Sequence, residues 1–183
     1  MDVEGVPVAG GPADGEQVAA SLAAWIGGMT FVDQGPDQVT ALLVEAAAAW
    51  GRAQGWRVYL RAPSVLPLPP PYEHRRSSLD VACARPTGAP VVVEVDRTDR
   101  RRTLDKLLAE AAAGRIAIWL RWGTGRFEPP PAPVRMVTCQ VTPRRGPAGG
   151  GRSYSLLREV DRPAPAHTPV ETGPDEQGDL FTG

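Results

Sequence analysis

The stretch SSLDVACARPTGAPVVVEVDRTDRRRTLDKLL, Ser77 to Leu108, decides how the chain is read. SSLDVACA has strand character, PTGAP is a turn, and the unbroken valines of VVVEVD suit a strand buried on both faces in the middle of an α/β sheet. TDRRRTLDKLLAEAAAG then changes to helical spacing, with Leu104, Leu107, Leu108 and Ala111 on one apolar stripe, Thr98 or Asp99 as N-cap and Gly114 as C-cap. Carboxylates interrupt this apolar pattern: Asp80 in the first strand, Glu94 and Asp96 in the next. The last two point the same way because strand side chains alternate. Carboxylates buried beside Val91, Val93 and Val95 are costly unless a cation or a partner satisfies them. The helix that follows carries Lys106, the one lysine of a chain that otherwise writes its positive charge as arginine.

Upstream, DGEQVAASLAAWIGGM (Asp14–Met29) and DQVTALLVEAAAAWGRAQG (from Asp37 after Pro36, ending at Gly55) read as amphipathic helices. WRVYLRA alternates with period two and reads as a strand, after which the prolines of PSVLPLPPPYEHRR predict a loop. Downstream, RIAIWLRW and VRMVTCQV read as strands, PRRGPAGGG as a loop and SYSLL as a last edge strand. The expected organisation is a leader over residues 1–15, a single α/β domain over 16–158, and a Pro-rich acidic tail over 159–183 that is expected to be disordered. A chain of 183 residues has room for one mid-sized core.

The formal net charge of −1 supplies no general attraction to nucleic acid or membranes, so any DNA contact must come from a local patch. Cys83 and Cys139 lie inside apolar strand-like runs and form no CxxC, which speaks against a disulfide framework or zinc site and for a reducing cytoplasm. No apolar run reaches membrane-spanning length, and the acidic start MDVEGVPVAGG lacks the positive n-region of a signal peptide, so the expectation is a cytoplasmic protein with no membrane partner.

The order helix, three strands, helix, strand, with Asp80 followed by Glu94-x-Asp96, resembles the PD-(D/E)XK nuclease superfamily. The resemblance covers roughly Gln38 to Trp122. It implies a restriction-endonuclease-like core, a mixed central sheet flanked by helices, and a metal-dependent deoxyribonuclease acting in DNA repair or replication. Asp80, Glu94 and Asp96 would hold Mg²⁺ or Mn²⁺ through oxygen ligands, and the metal would activate water for attack on a phosphodiester. The superfamily motif places a lysine two residues after the glutamate, where this chain has Asp96. Lys106 on the next helix would be the migrated substitute, suited to a point-charge role at phosphate. Helical phase argues the other way: Lys106 lies about 150° from the centre of the apolar stripe, which describes a solvated side chain. The missing strand lysine also leaves open a catalytically inactive adaptor that binds DNA or a replication or repair partner.

Arg97, Arg100, Arg101 and Arg102 form a basic run beside the candidate site and suit a nucleic-acid backbone. Arginines in the first helical turn oppose the helix dipole, so a purely structural reason is uncomfortable. Glu45 is an auxiliary-ligand candidate or a surface glutamate, and His74 with Arg75 and Arg76 either approaches phosphates or is simply exposed. Trp119 and Trp122 suit base stacking, although in a buried strand they are more often core. In the tail, Gln177, Asp179, Leu180 and Phe181 resemble the pentapeptide by which bacterial repair and replication proteins hook onto the sliding clamp, with Gly178 where a leucine is usual.

Overall fold

The computed structural model describes residues 11–145 and 151–158. Its elements run α1 (Pro12–Gly27), β1 (Phe31–Gln34), α2 (Pro36–Ala53), β2 (Arg57–Pro67), β3 (Arg76–Ala84), β4 (Val91–Asp96), α3 (Arg101–Ala112), β5 (Ile116–Gly123), β6 (Arg135–Gln140), β7 (Thr142–Arg145) and β8 (Arg152–Leu156). The main sheet has the order β2-β3-β4-β5-β6. The β2–β3 and β3–β4 pairs are antiparallel, whereas β4–β5 and β5–β6 are parallel, so α3 is the crossover that joins two parallel neighbours. The expected α/β class with a mixed sheet flanked by helices is therefore present.

The valine run explains the centre. All six residues of β4 and all eight of β5 are buried, as expected for strands covered on both faces. Val91, Val93, Val95, Ile116, Ile118, Leu120 and Trp122 face α1 and α2, while Val92, Ala117 and Trp119 face α3. On the first face, α2 approaches the sheet so closely at Gly51 that an added Cβ would stand 2.8 Å from Cys83 Sγ and 2.9 Å from Val58 Cγ2.

Several boundaries differ from the sequence reading. The first helix starts at Pro12, within the expected leader, because proline at the first helical position fits without its N–H. β2 runs on through Pro63 to Pro67 where a loop was expected. It is the sheet's edge strand, which tolerates proline, and its register shifts between those two prolines. Neither Thr98 nor Asp99 caps α3: its N-cap is Arg100, with no side-chain bond. Ala113 is its C-cap, and Gly114 follows at φ +82°. β1 and β7 have no counterpart in the sequence reading, being four residues each. They flank β8 in a second, three-stranded antiparallel sheet of order β1-β8-β7, so the expected edge strand is a central one. No helix of the described residues is long and apolar enough to cross a membrane. The tail residues Gln177, Asp179, Leu180 and Phe181 lie outside the described residues.

Candidate functional site

The β3–β4 ladder pairs Cys83 with Val91, Ala82 with Val92 and Val81 with Val93. Beyond that point two carboxylates take over the role of backbone partner. Asp80 N donates to Glu94 Oε1 at 3.1 Å, and Val95 N donates to Asp80 Oδ2 at 2.8 Å. Each carboxylate thus satisfies a main-chain N–H of the other's strand where the ladder ends. Asp80 and Glu94 are brought side by side by this exchange.

Lys106 completes the cluster. Its Nζ lies 2.7 Å from Glu94 Oε2 and donates to the Ser78 carbonyl at 2.6 Å. The residue is 8% exposed, so the solvated position expected from helical phase is corrected. The reason is that α3 buries a stripe of Thr103, Lys106, Leu107 and Glu110, with only one apolar member. Leu104, Leu108 and Ala111 are only partly buried at its flank. The apolar residues therefore misplaced the inward face. Glu110, fully buried, accepts from Ser64 Oγ at 2.6 Å and from Val65 N at 2.7 Å, and pairs with Arg115. Arg102 donates to the Pro67 carbonyl at 3.1 Å. Three polar contacts thus clamp the β2–β3 hairpin to α3 and hold Lys106 over Glu94.

Burial dominates the electrostatics. Desolvation, with the neighbouring Asp80 charge, pushes the Glu94 carboxyl up to about 7 despite the opposing pull of Lys106. Desolvation raises Asp80 as well, although the Val95 N–H, Lys106 and Arg61 work against it. At contact distance the two carboxylates face one ammonium, that of Lys106 on Glu94.

Asp96 is buried on the same side of β4 as Glu94, but its Oδ2 accepts from Trp119 Nε1 at 3.1 Å and its Oδ1 lies 3.6 Å from Arg100 Nε. Among the described residues no group of three or more His, Cys, Asp or Glu is clustered to hold a metal ion. A hard divalent cation at Asp80 and Glu94 would draw its remaining oxygens from main chain, water and ligand; the adjacent all-oxygen donor pair fits such an ion.

These groups line a cleft of about 1000 Å³ between α2 and α3 at the end of the sheet, bounded also by Arg61, Arg97, Arg100 and Arg102. Arg101 is not in its wall and pairs with Asp105 at 3.0 Å. Arg97 lies over the rings of Trp122 and Tyr154, at 5.9 and 5.7 Å. Glu45 reaches the cleft rim, paired with Arg52 at 3.5 Å. His74, Arg75 and Arg76 are exposed around the β2–β3 turn. Trp119 and Trp122 are core residues, 2% and 0% exposed, with their indole N–H groups on Asp96 and Thr40 Oγ1. The residues absent from the sequence reading are Ser78, Glu110 and Arg61. Thr103, Lys106 and Glu110 at helical spacing were the available signal for a polar inward face. No protein-family model matches the chain, and comparison with curated proteins and with solved structures returns no match.

Proposed function

We propose that this chain is a metal-dependent nuclease with a restriction-endonuclease-like core, hydrolysing DNA phosphodiester bonds in repair or replication. The observation that carries the reading is the Lys106–Glu94 pair at 2.7 Å, set beside Asp80 in a cleft lined by arginines. The order α2, β2–β4, α3, β5, with Asp80 and Glu94 on adjacent strands and the lysine supplied by the helix that follows them, supports it. Mg²⁺ or Mn²⁺, when bound, would supply charge neutralisation at the phosphate and a water of lowered pKa. Asp80 and Glu94 would hold the cation, with Asp96 behind them fixed by Trp119. Lys106, released from Glu94, turns its ammonium to a phosphate oxygen or to the attacking water. Arg97, Arg100 and Arg102 neutralise neighbouring phosphates. The tail residues Gln177, Asp179, Leu180 and Phe181 would tether the enzyme to a sliding clamp, since a Leu-Phe pair suits an apolar binding pocket.

One observation favours a second reading, an inactive nuclease-fold adaptor that binds DNA or a replication or repair partner. Lys106 already gives Glu94 a counter-charge without any cation. The deciding experiment is incubation with Mg²⁺ or Mn²⁺ and supercoiled, linear, single-stranded, mismatched and branched DNA, beside Glu94→Ala. Cleavage by the wild type that Glu94→Ala abolishes supports the nuclease. DNA binding without cleavage on every substrate supports the adaptor.

A further inference from the structure

Arg61 stands in the wall of the same cleft with a backbone that a strand does not ask for. Its φ is +51°, in the left-handed region, although it bears a long side chain and lies inside β2. Its neighbours Leu60 and Ala62 pair with Val81 and Leu79, which sets Arg61 across from Asp80. Asparagine or aspartate can offset this conformation with a local hydrogen bond; arginine has no such short polar group. A conformation of this kind persists only where the surroundings over-determine it, and such residues cluster at functional sites.

The other cations of the cleft are engaged. Lys106 is on Glu94 and Ser78, Arg100 near Asp96, Arg102 on the Pro67 carbonyl, and Arg97 over two aromatic rings. The Arg61 side chain has no hydrogen bond or ion pair among the described residues, yet its charge is felt at Asp80. An exposed guanidinium lining the cleft, on the strand opposite a carboxylate but not joined to it, is a fork open to an incoming anion.

We propose that Arg61 is a substrate-binding residue that takes a phosphate of the nucleic-acid strand, next to the phosphate handled at Asp80, Glu94 and Lys106. The inference rests on the nuclease reading and adds to it the group that sets the strand against the carboxylates. Its left-handed backbone sits in the edge strand at the cleft.

The test is fluorescence anisotropy of a labelled single strand and a labelled duplex with Ca²⁺ in place of Mg²⁺, for the wild type, Arg61→Gly and Arg61→Lys, across a salt series. Arg61→Gly suits the left-handed backbone, so its melting temperature should equal or exceed that of the wild type. Its affinity should fall about tenfold, the loss of one charge-assisted contact, and its salt slope should drop by about one. Arg61→Lys should recover the slope and part of the affinity. Arg61→Gln repeats the comparison should the glycine variant melt early. Wild-type binding that Arg61→Gly and Arg61→Gln leave unchanged in affinity and slope overturns this inference alone. A wild type that binds neither DNA overturns the nuclease reading, and the inference with it.

Discussion

Lys106 Nζ bridges two elements, lying 2.7 Å from Glu94 Oε2 on β4 and 2.6 Å from the Ser78 carbonyl on β3. Where the β3–β4 ladder stops, this ammonium and the two carboxylates are the polar link between the strands and α3. Lys106→Met removes the one basic partner that Glu94 has among the described residues. It should destabilise the protein by about 3–5 kcal/mol where Glu94 is ionised, and by less in acid, where a protonated Glu94 needs no counter-ion. Urea unfolding on either side of neutrality measures both values; an equal loss at both would contradict the pairing.

The raised carboxyls set a pH dependence. Glu94 stands at about 7 in the fold against an ordinary 4.5, so its contribution to stability is complete below about 4.5 and is lost as pH rises through about 7. Asp80 is raised and acts in the same direction. Metal-free protein should therefore lose stability between those limits, and Glu94→Gln should flatten that part of the profile. Thermal melts across the range, without divalent ions, test the slope.

The β2–β3 hairpin depends on Glu110, whose carboxylate takes Ser64 Oγ and Val65 N and pairs with Arg115. Glu110→Ala strands the Val65 N–H and the Ser64 hydroxyl, and should cost about 1–3 kcal/mol for each buried group left unpaired. Because the same hairpin carries Ser78, the variant should also loosen Lys106. Hydrogen exchange at residues 76–80 should speed up together with the fall in stability.

Gly51→Ala tests the packing on the opposite face. The new Cβ would stand 2.8 Å from Cys83 Sγ and 2.9 Å from Val58 Cγ2, too close for either to remain in place. A loss of about 1–3 kcal/mol by denaturant unfolding is expected, in spite of alanine's better helix propensity.

The sequence was legible where one force dominated. The valines of β4 and the apolar run of β5 read as strands buried in the middle of the sheet, which they are, and the acids that interrupt the valines line the candidate site. The inward face of α3 was not legible, because apolar phase locates a helix only when its buried stripe is apolar. Here the stripe carries Thr103, Lys106 and Glu110, and the last two pair with the strands on which Glu94, Ser78 and Ser64 lie. β2 was cut short for a related reason: proline forbids a central strand but not an edge, and edge position is a property of the whole sheet. β1 and β7 owe their state to pairing with β8 from a distant part of the chain, a contact that no local pattern announces.

In the proposed enzyme Asp80 and Glu94 accept a divalent cation in exchange for the ammonium of Lys106. Isothermal titration of Mn²⁺ into the wild type, Asp80→Asn and Glu94→Gln, at a pH above and a pH below 7, tests it most directly. Saturable binding by the wild type is expected, stronger as Glu94 ionises and accompanied by proton release. Either variant should lose this binding while keeping its fold. Equal Mn²⁺ binding by all three proteins, or none by the wild type above pH 7, would contradict the exchange.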